Sequence, residues 1–459
     1  MKKQIILMMT ASMALSSCGI YTKYHPATEV PEGVYGEEVI TDDQTPSLGS
    51  LPWREIFTDP TLQALIEKGL QNNTNLQSAS LRVEECKAAL LSAKLAYLPS
   101  FALTPQGTVS SFDKMKATQT YQLPVAASWE VDIFGRIRNA KRQAKAQLEQ
   151  SRDYRQAVQT QVIAGIANTY YTLLMLDEQL QISQQTEQTW AESVRSTRAL
   201  MQAGLANEAA VSQMEAAHNA VCASVLSLKE QVNQVENSLS LLLAEVPHRI
   251  ERPAPGTTEL ALQAPTLSVG VPMQMLSNRP DVRSAERSLE MAFYGTNAAR
   301  SAFYPSITLS GAAGWTNSAG SMIVNPGKFV ASAVGSLTQP LFAQGKLLAQ
   351  YKIAKAQQEE ATLAFSQTLL NAGAEVNEAL VAYQNAQAKT ELYANQVAAL
   401  QNAYRSTSLL MQHGTTTYLE VLTAQQSLLS AQLTQTANRL AQTQSLISLY
   451  QALGGGQEE

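Results

Sequence analysis

Charged and aromatic side chains are both scarce in this 459-residue chain, at 15% and 6%, against about a quarter charged in an average globular protein. Ala, Gln, Leu, Ser and Thr fill the long stretches instead, a composition that packs helix on helix through small side chains. Cysteine is almost absent: Cys18, Cys86 and Cys222 are the only three. That excludes a disulfide framework, and no Cys-x-x-Cys motif is present. Cys86 and Cys222 lie in helical-looking runs and are expected as small buried thiols. Beyond residue 17 no stretch approaches 18 apolar residues, so a transmembrane helix is excluded, and any crossing of a bilayer must be made by strands. The formal charge of −5, without a basic patch, makes the chain a poor nucleic-acid binder. No enzyme motif is present: no Walker-type loop, no Gly-x-Ser-x-Gly, no His-x-x-x-His pair among His25, His218, His248 and His413. The 13 methionines are scattered, which suits packing better than a metal path. Neither a catalytic residue, a metal site nor a cofactor is expected.

The first residues have the pattern of a secretory leader: Lys2 and Lys3, an apolar stretch at 5–15, then Leu15-Ser16-Ser17-Cys18. Loss of residues 1–17 takes the charge from −5 to −7. The last four resemble the lipobox of bacterial lipoproteins. That resemblance implies an acyl chain such as palmitate on Cys18 and an attachment to membrane lipid.

What is abundant is repetition. Residues 18–57 carry Pro26, Pro31, Pro46 and Pro52 and are expected as an extended arm. Two copies of one unit follow. In the first, 58–246, a helix marked by Leu76, Ala79, Val83 and Leu90 ends at Pro99, and strands are expected at about 101–112 and 119–129. A long helix 137–203, a turn and a helix 208–246 complete it. In the second, 282–453, a helix ends at Pro305 before strands at about 306–317 and 328–340, a long helix 343–412, a turn and a helix 417–453. Residues 247–281 connect the copies, and 454–459 form a tail. The period changes from about 3.6 to 2 after each proline: Ile307, Leu309, Ala313 and Trp315 alternate with Ser306, Thr308 and Ser310. Strands of this length suit a membrane β-barrel, but four cannot close one, since the smallest have about eight. Several chains must therefore share it. The two long helices, roughly 100 Å each at 1.5 Å per residue, run beside shorter helices stacked end to end.

Three phrases, taken in order, resemble a known family: "WEVDIFGRIR" (129–138), "NRPDV" with "AFYPSITLSG" (278–282, 302–311), and "YLEVLTAQQSLLSAQ" (418–432). They resemble the outer membrane efflux proteins, the outer membrane factors of tripartite RND-type pumps (TolC/OprM-like), in their lipoprotein, NodT-type branch. The resemblance implies a mainly α fold with a membrane β-barrel contribution: a homotrimer of twelve strands standing on a long periplasmic α-barrel, with the connector and termini in an equatorial belt. It implies an outer membrane channel of a Gram-negative cell, working with a periplasmic adaptor (membrane fusion) protein and an inner membrane RND-type transporter to export small amphiphilic compounds or drugs. A conduit for metal ions or for type I protein secretion is the alternative, and a periplasmic coiled-coil lipoprotein or adaptor scaffold a more remote one.

Carried over residue by residue, the resemblance places adaptor docking at Gly204, Leu205 and Ala206 and at Gly414, Thr415 and Thr416. It makes Tyr404 and Arg405, two turns before the second tip, candidates for a periplasmic gate. No carboxylate lies in "STSLLMQHGTTT" (406–417) to form an acidic ring there. Arg279, Pro280 and Asp281 are read as structural: Pro280 opens a helix at no hydrogen-bond cost, and Asp281 complements its positive end.

Overall fold

Proline and glycine set the element boundaries. In the computed structural model the described residues are 23–26, 48–111, 113, 116–256, 278–319 and 322–456. The leader, Cys18 and most of the 247–281 connector lie outside them. The first part of the chain holds α1 (Trp53–Ile56), α2 (Pro60–Asn72) and α3 (Thr74–Leu95), then strands β1 (Ser100–Leu103), β2 (Gln106–Ser110) and β3 (Thr118–Val131). Helices α4 (Arg136–Gln202) and α5 (Glu208–Leu242) follow. The second part repeats the order with α6 (Pro280–Ser301), β4 (Ser306–Ala319), β5 (Met322–Thr338), α7 (Lys346–Gln412) and α8 (Tyr418–Ala452). Each long helix, α4 and α7, has 67 residues, and each returning helix, α5 and α8, has 35. The end of the expected arm is not extended: Leu48–Ser50 forms a 3-10 turn ahead of α1, with Leu48 and Phe57 fully buried.

The chain divides into two compact units. One contains Leu81–Asp153 and Arg283–Gln367 and holds the sheet. All its strand pairs are antiparallel, in the order β1-β3-β4-β5, with β2 also on β3. β1 and β2 are one strand interrupted at Thr104 and Pro105. Their registers on β3 are continuous across the gap, from Leu103 opposite Val125 to Gln106 opposite Gln122. Pro105 and Pro124 have no N–H to give, so the ladder lapses there, leaving one bond from Thr104 N to the Pro124 carbonyl at 3.1 Å. On β4, Gly314 faces Pro124, and a Cβ at Gly314 would stand 2.1 Å from the Leu123 carbonyl oxygen. Only glycine fits that crossing.

At the end of β3, the Asp132 carboxylate accepts from Ile137 N at 3.0 Å and Arg138 N at 2.7 Å. It thereby satisfies the free amides that open α4. Gly135 (φ +70°) makes the turn, as Gly345 (φ +76°) does before α7. Phe134 stacks on Tyr304 at 5.1 Å, joining the first hairpin to the end of α6.

The other unit, Thr28–Ser80, Tyr154–Val282 and Thr368–Glu459, is helical in its described residues. On α4, Ile163, Ile166, Tyr170 and Leu173 are fully buried at three- and four-residue spacing. α2 lies against that face so closely that a Cβ at Gly69 would meet Ile166 Cδ1 at 2.2 Å. Asp59 caps α2 through Thr61 N (2.8 Å) and accepts the Tyr170 hydroxyl (2.6 Å). Burial first, and then that carboxylate, raise the Tyr170 pKa well above a phenol's usual value. Arg252 has a side chain only 8% exposed and pairs with Asp177 of α4 and Glu236 of α5. The start of the connector is thus tied to both helices.

The glycine-rich end of the chain is not a loose tail. Residues 452–456 are buried. Gly454 (φ +82°) ends α8, Thr160 Oγ1 donates to the Gly455 carbonyl at 2.7 Å, and Gly456 N donates to the Tyr450 hydroxyl at 2.8 Å. That hydroxyl donates in turn to the Leu51 carbonyl at 3.0 Å. One phenol thereby ties the segment before α1 to the end of α8, and burial pushes its pKa up to about 12.

Candidate functional site

The sheet is two-faced, and among the described residues neither face is covered by the chain itself. Cross-strand rows on one side read Leu103-Val125-Ala313-Ala331, Leu123-Trp315-Phe329 and Trp129-Leu309-Gly335. On the other side they read Gln122-Thr316-Lys328, Ser128-Ser310-Val334 and Glu130-Thr308-Ser336. The apolar side chains stand open: Phe101 is 70% exposed, Phe329 61% and Trp315 56%. A contiguous apolar surface of this kind needs a nonaqueous neighbour. The β1/β2 strand and β5 each pair on one side alone among the described residues. These edges must also be satisfied if the apolar face meets lipid.

The two helix-to-helix tips are built alike. At the end of α4, Gly204 N donates to the Met201 carbonyl (3.0 Å) and Leu205 N to the Leu200 carbonyl (2.9 Å), with Gly204 at φ +75°. At the end of α7, Gly414 N bonds to Met411 O (3.0 Å) and Thr415 N to Leu410 O (2.9 Å), with Gly414 at φ +71°. Both are Schellman turns, which need a left-handed residue and hence glycine. The helices that return differ in their caps. The Asn207 side chain accepts from Ala210 N at 2.9 Å, whereas Thr417 makes no side-chain cap and Thr416 Oγ1 bonds to the Glu420 carboxylate. Leu205 stands 77% exposed, Gly204, Gly414 and Thr415 are exposed, and Ala206 and Thr416 are half-buried. Behind the first tip, Trp190 and Val194 of α4 pack on Met214, Ala217 and Val221 of α5 and Leu422 of α8. The exposed turns therefore sit on a packed base.

Tyr404 is half-buried and Arg405 exposed, one helix step apart on α7. Among the described residues Arg405 has no ion-pair partner, and the contact at Tyr404 is its carbonyl accepting from Thr407 Oγ1 at 3.1 Å.

Arg279 makes several polar contacts within the helical unit. With its side chain 6% exposed, it pairs with Asp281 at 2.6 Å and Glu375 at 2.6 Å and donates to the Ala452 carbonyl at 2.8 Å. Burial disfavours both charges, but the mutual bonds outweigh it, holding the Asp281 carboxyl below its usual range and the Arg279 pKa above its own. Pro280 is the first residue of α6. Arg279 thus joins the start of α6, the middle of α7 and the end of α8. Its spread of partners was hidden in the sequence, because Glu375 and Ala452 are remote from "NRPDV".

One cluster escaped sequence reading. His218 and Cys222 stand four residues apart on α5, and Glu187 of α4 completes a group whose ligand atoms lie within 4.8 Å of one another. The His-x-x-x-Cys spacing is visible in "HNAVC", but Glu187 is supplied by the neighbouring helix.

An antiparallel sheet with an exposed apolar face, and 67-residue helices that end in exposed glycine turns, together define a channel-like class. The sequence profile of the family described as "Outer membrane efflux protein" matches residues 65–245 and 271–455. The chain belongs to this family. It is 29% identical over 477 residues to the toluene efflux pump outer membrane protein TtgC of Pseudomonas putida, covering 99% of this chain and 96% of that one. It is 27% identical over 459 residues to the cation efflux system protein CusC of Escherichia coli, covering 99% of each. Among solved structures, CusC superposes with a TM-score of 0.84 at 26% identity, over 94% of this chain and 99% of that one. The open-state MtrE channel of Neisseria gonorrhoeae superposes with 0.83 at 27% identity, over 95% and 98%. The chain is an outer membrane efflux channel of a tripartite system, a transport conduit and not a catalyst.

Proposed function

We propose that three copies of this chain share one twelve-stranded barrel, each giving the β1/β2 strand, β3, β4 and β5, and that the barrel releases small amphiphilic compounds to the exterior. The observation that carries this reading is the four-stranded sheet, which among the described residues has one uncovered apolar face and both edges unpaired. Joining β5 of one copy to the β1/β2 strand of the next satisfies every edge and turns all apolar faces towards lipid.

Cys18, in this reading, carries the lipid that holds the chain at the membrane. The tip turns at Gly204, Leu205 and Ala206 and at Gly414, Thr415 and Thr416 dock the periplasmic adaptor, their exposed backbone and the Leu205 side chain offering the contact. An inner membrane RND-type transporter supplies the energy, since this chain needs none of its own. Tyr404 and Arg405 make contacts between chains that narrow the periplasmic end. Opening follows when the adaptor binds the open arrangement better.

The test is to express the chain with an adaptor and transporter of amphiphilic compounds in a host lacking its own channel. Restored resistance to such compounds supports the reading, and restored tolerance to copper or silver alone overturns the choice of cargo. Tyr404→Ala and Arg405→Ala are expected to raise conductance in planar bilayers. Conductance equal to that of the unaltered channel removes them from the gate.

A further inference from the structure

Glu187, His218 and Cys222 are three ligand types of graded softness, brought together from two helices in a protein otherwise poor in both histidine and cysteine. All three side chains are half-buried. Cys222 Sγ lies 3.4 Å from Glu187 Oε1 and 3.5 Å from His218 Nε2. A tetrahedral zinc with Zn–S near 2.3 Å and Zn–N or Zn–O near 2.0–2.1 Å sets its sulfur about 3.5 Å from each of the other two ligands. The two edges that meet at sulfur therefore already have the length that a bound ion requires. The third edge, from imidazole nitrogen to carboxylate oxygen, lies within the 4.8 Å span of the group and closes by side-chain rotation. His218 and Cys222 at i and i+4 project from one face of α5.

We propose that Glu187, His218 and Cys222 form a binding site for a thiophilic d10 cation of the Zn2+ type, one per chain, which pins α4 to α5 some fifteen residues from the α4 end of the first tip. Thiolate, imidazole and carboxylate together suit zinc, and three protein ligands leave one position for water. Binding replaces the thiol proton: the Cys222 S–H bond breaks, a sulfur–metal bond forms, and the proton leaves to solvent. Without an ion, the Cys222 thiol is hydrogen-bonded to the Glu187 carboxylate at 3.4 Å. Because Glu187 and Cys222 come from the two arms of one hairpin, an ion here stiffens the stalk behind the Gly204 turn.

The experiment uses the full chain, extracted in detergent under reducing conditions and stripped with chelator, with Co2+ and Zn2+ as probes. Co2+ is expected to give a thiolate-to-metal charge-transfer band saturating at one ion per chain, and Zn2+ to displace it. Cys222→Ser is expected to abolish the band, and His218→Gln and Glu187→Gln to weaken binding by more than about 10-fold, the scale at which even outer-shell changes act. Cys86→Ser is expected to leave band and affinity unchanged. Each variant is compared at equal oligomeric mass and helical content, so loss of the fold is seen separately. No band with the unaltered protein, a band surviving Cys222→Ser, or equal affinity after Glu187→Gln overturns the site.

Discussion

Gly204 and Gly454 have nearly the same backbone, φ +75° and +82°, but opposite surroundings. A Cβ at Gly204 would meet nothing within 4 Å, whereas at Gly454 it would lie 2.6 Å from the carbonyl carbon and oxygen of Asn278 and 3.0 Å from Arg279 N. Gly204→Ala therefore carries the left-handed penalty alone, about 1–2 kcal/mol. Gly454→Ala carries the same penalty plus an overpacking cost of about 1–3 kcal/mol. Moving the segment to relieve the clash strains the Thr160–Gly455 and Gly456–Tyr450 bonds as well, each worth about 1 kcal/mol. The expected totals are about 1–2 against about 4–7 kcal/mol. In thermal unfolding of detergent-extracted protein at a fixed scan rate, one kcal/mol moves Tm by about 2–4 °C for a unit of this size. Gly454→Ala should then unfold at least about 5 °C below Gly204→Ala, with Gly414→Ala beside the latter. Equal stability of Gly454→Ala and Gly204→Ala would refute the claim that the C-terminal glycines are a packed anchor.

Arg279→Ala is expected to destabilise by about 2–4 kcal/mol, chiefly through the lost charge-assisted bond to Ala452 and the buried carbonyl it leaves unpaired. The half-exposed carboxylates recover water and add little; urea titration of the variant checks the figure. Since Asp281 has a folded pKa below its unfolded one, its contribution is present above about pH 4 and disappears as the pH falls through the lower folded value. Asp281→Asn should accordingly flatten stability against pH in the acid range, measured from pH 2 to 6. On β4, Ala313→Lys places a charge on the apolar face and is expected to cost about 2–4 kcal/mol at mid-membrane, while Ser310→Lys on the other face is tolerated; outer membrane yields compare the two. Cys18→Ser should leave the protein unlabelled by radioactive palmitate in growing cells, and label retained on the variant would remove the anchor from Cys18.

The elements legible from the chain are those whose periodicity is local. Val158, Val162, Ile166, Tyr170 and Leu173 mark one helical face by spacing alone, and all are buried, as are Phe365, Leu369, Val376, Leu380 and Tyr383. The alternation of Ile307, Leu309, Ala313 and Trp315 with hydroxyl residues likewise announces a two-faced strand. The tip glycines stand out because "LMQAG" and "LMQHG" repeat a helix end. What stayed hidden depends on distant partners. Gly454, Gly455 and Gly456 read as a tail from composition, and only Asn278, Tyr450 and Thr160 show why they are glycine. The lapse at Thr104–Pro105 needs Pro124 on the partner strand. Glu187 joins His218 and Cys222 across a hairpin 35 residues deep on its returning side. The docking and gating roles proposed for the tips, Tyr404 and Arg405 would rest on surfaces of other chains, which no single sequence displays.

The shared barrel is tested most directly by native mass measurement of the protein extracted from outer membranes. Three chains in one particle, each carrying an acyl-sized increment at Cys18, is the result expected. A single chain that stays soluble without detergent once Cys18 is replaced would contradict it, because an isolated four-stranded sheet with this apolar face and two open edges has no place in a bilayer.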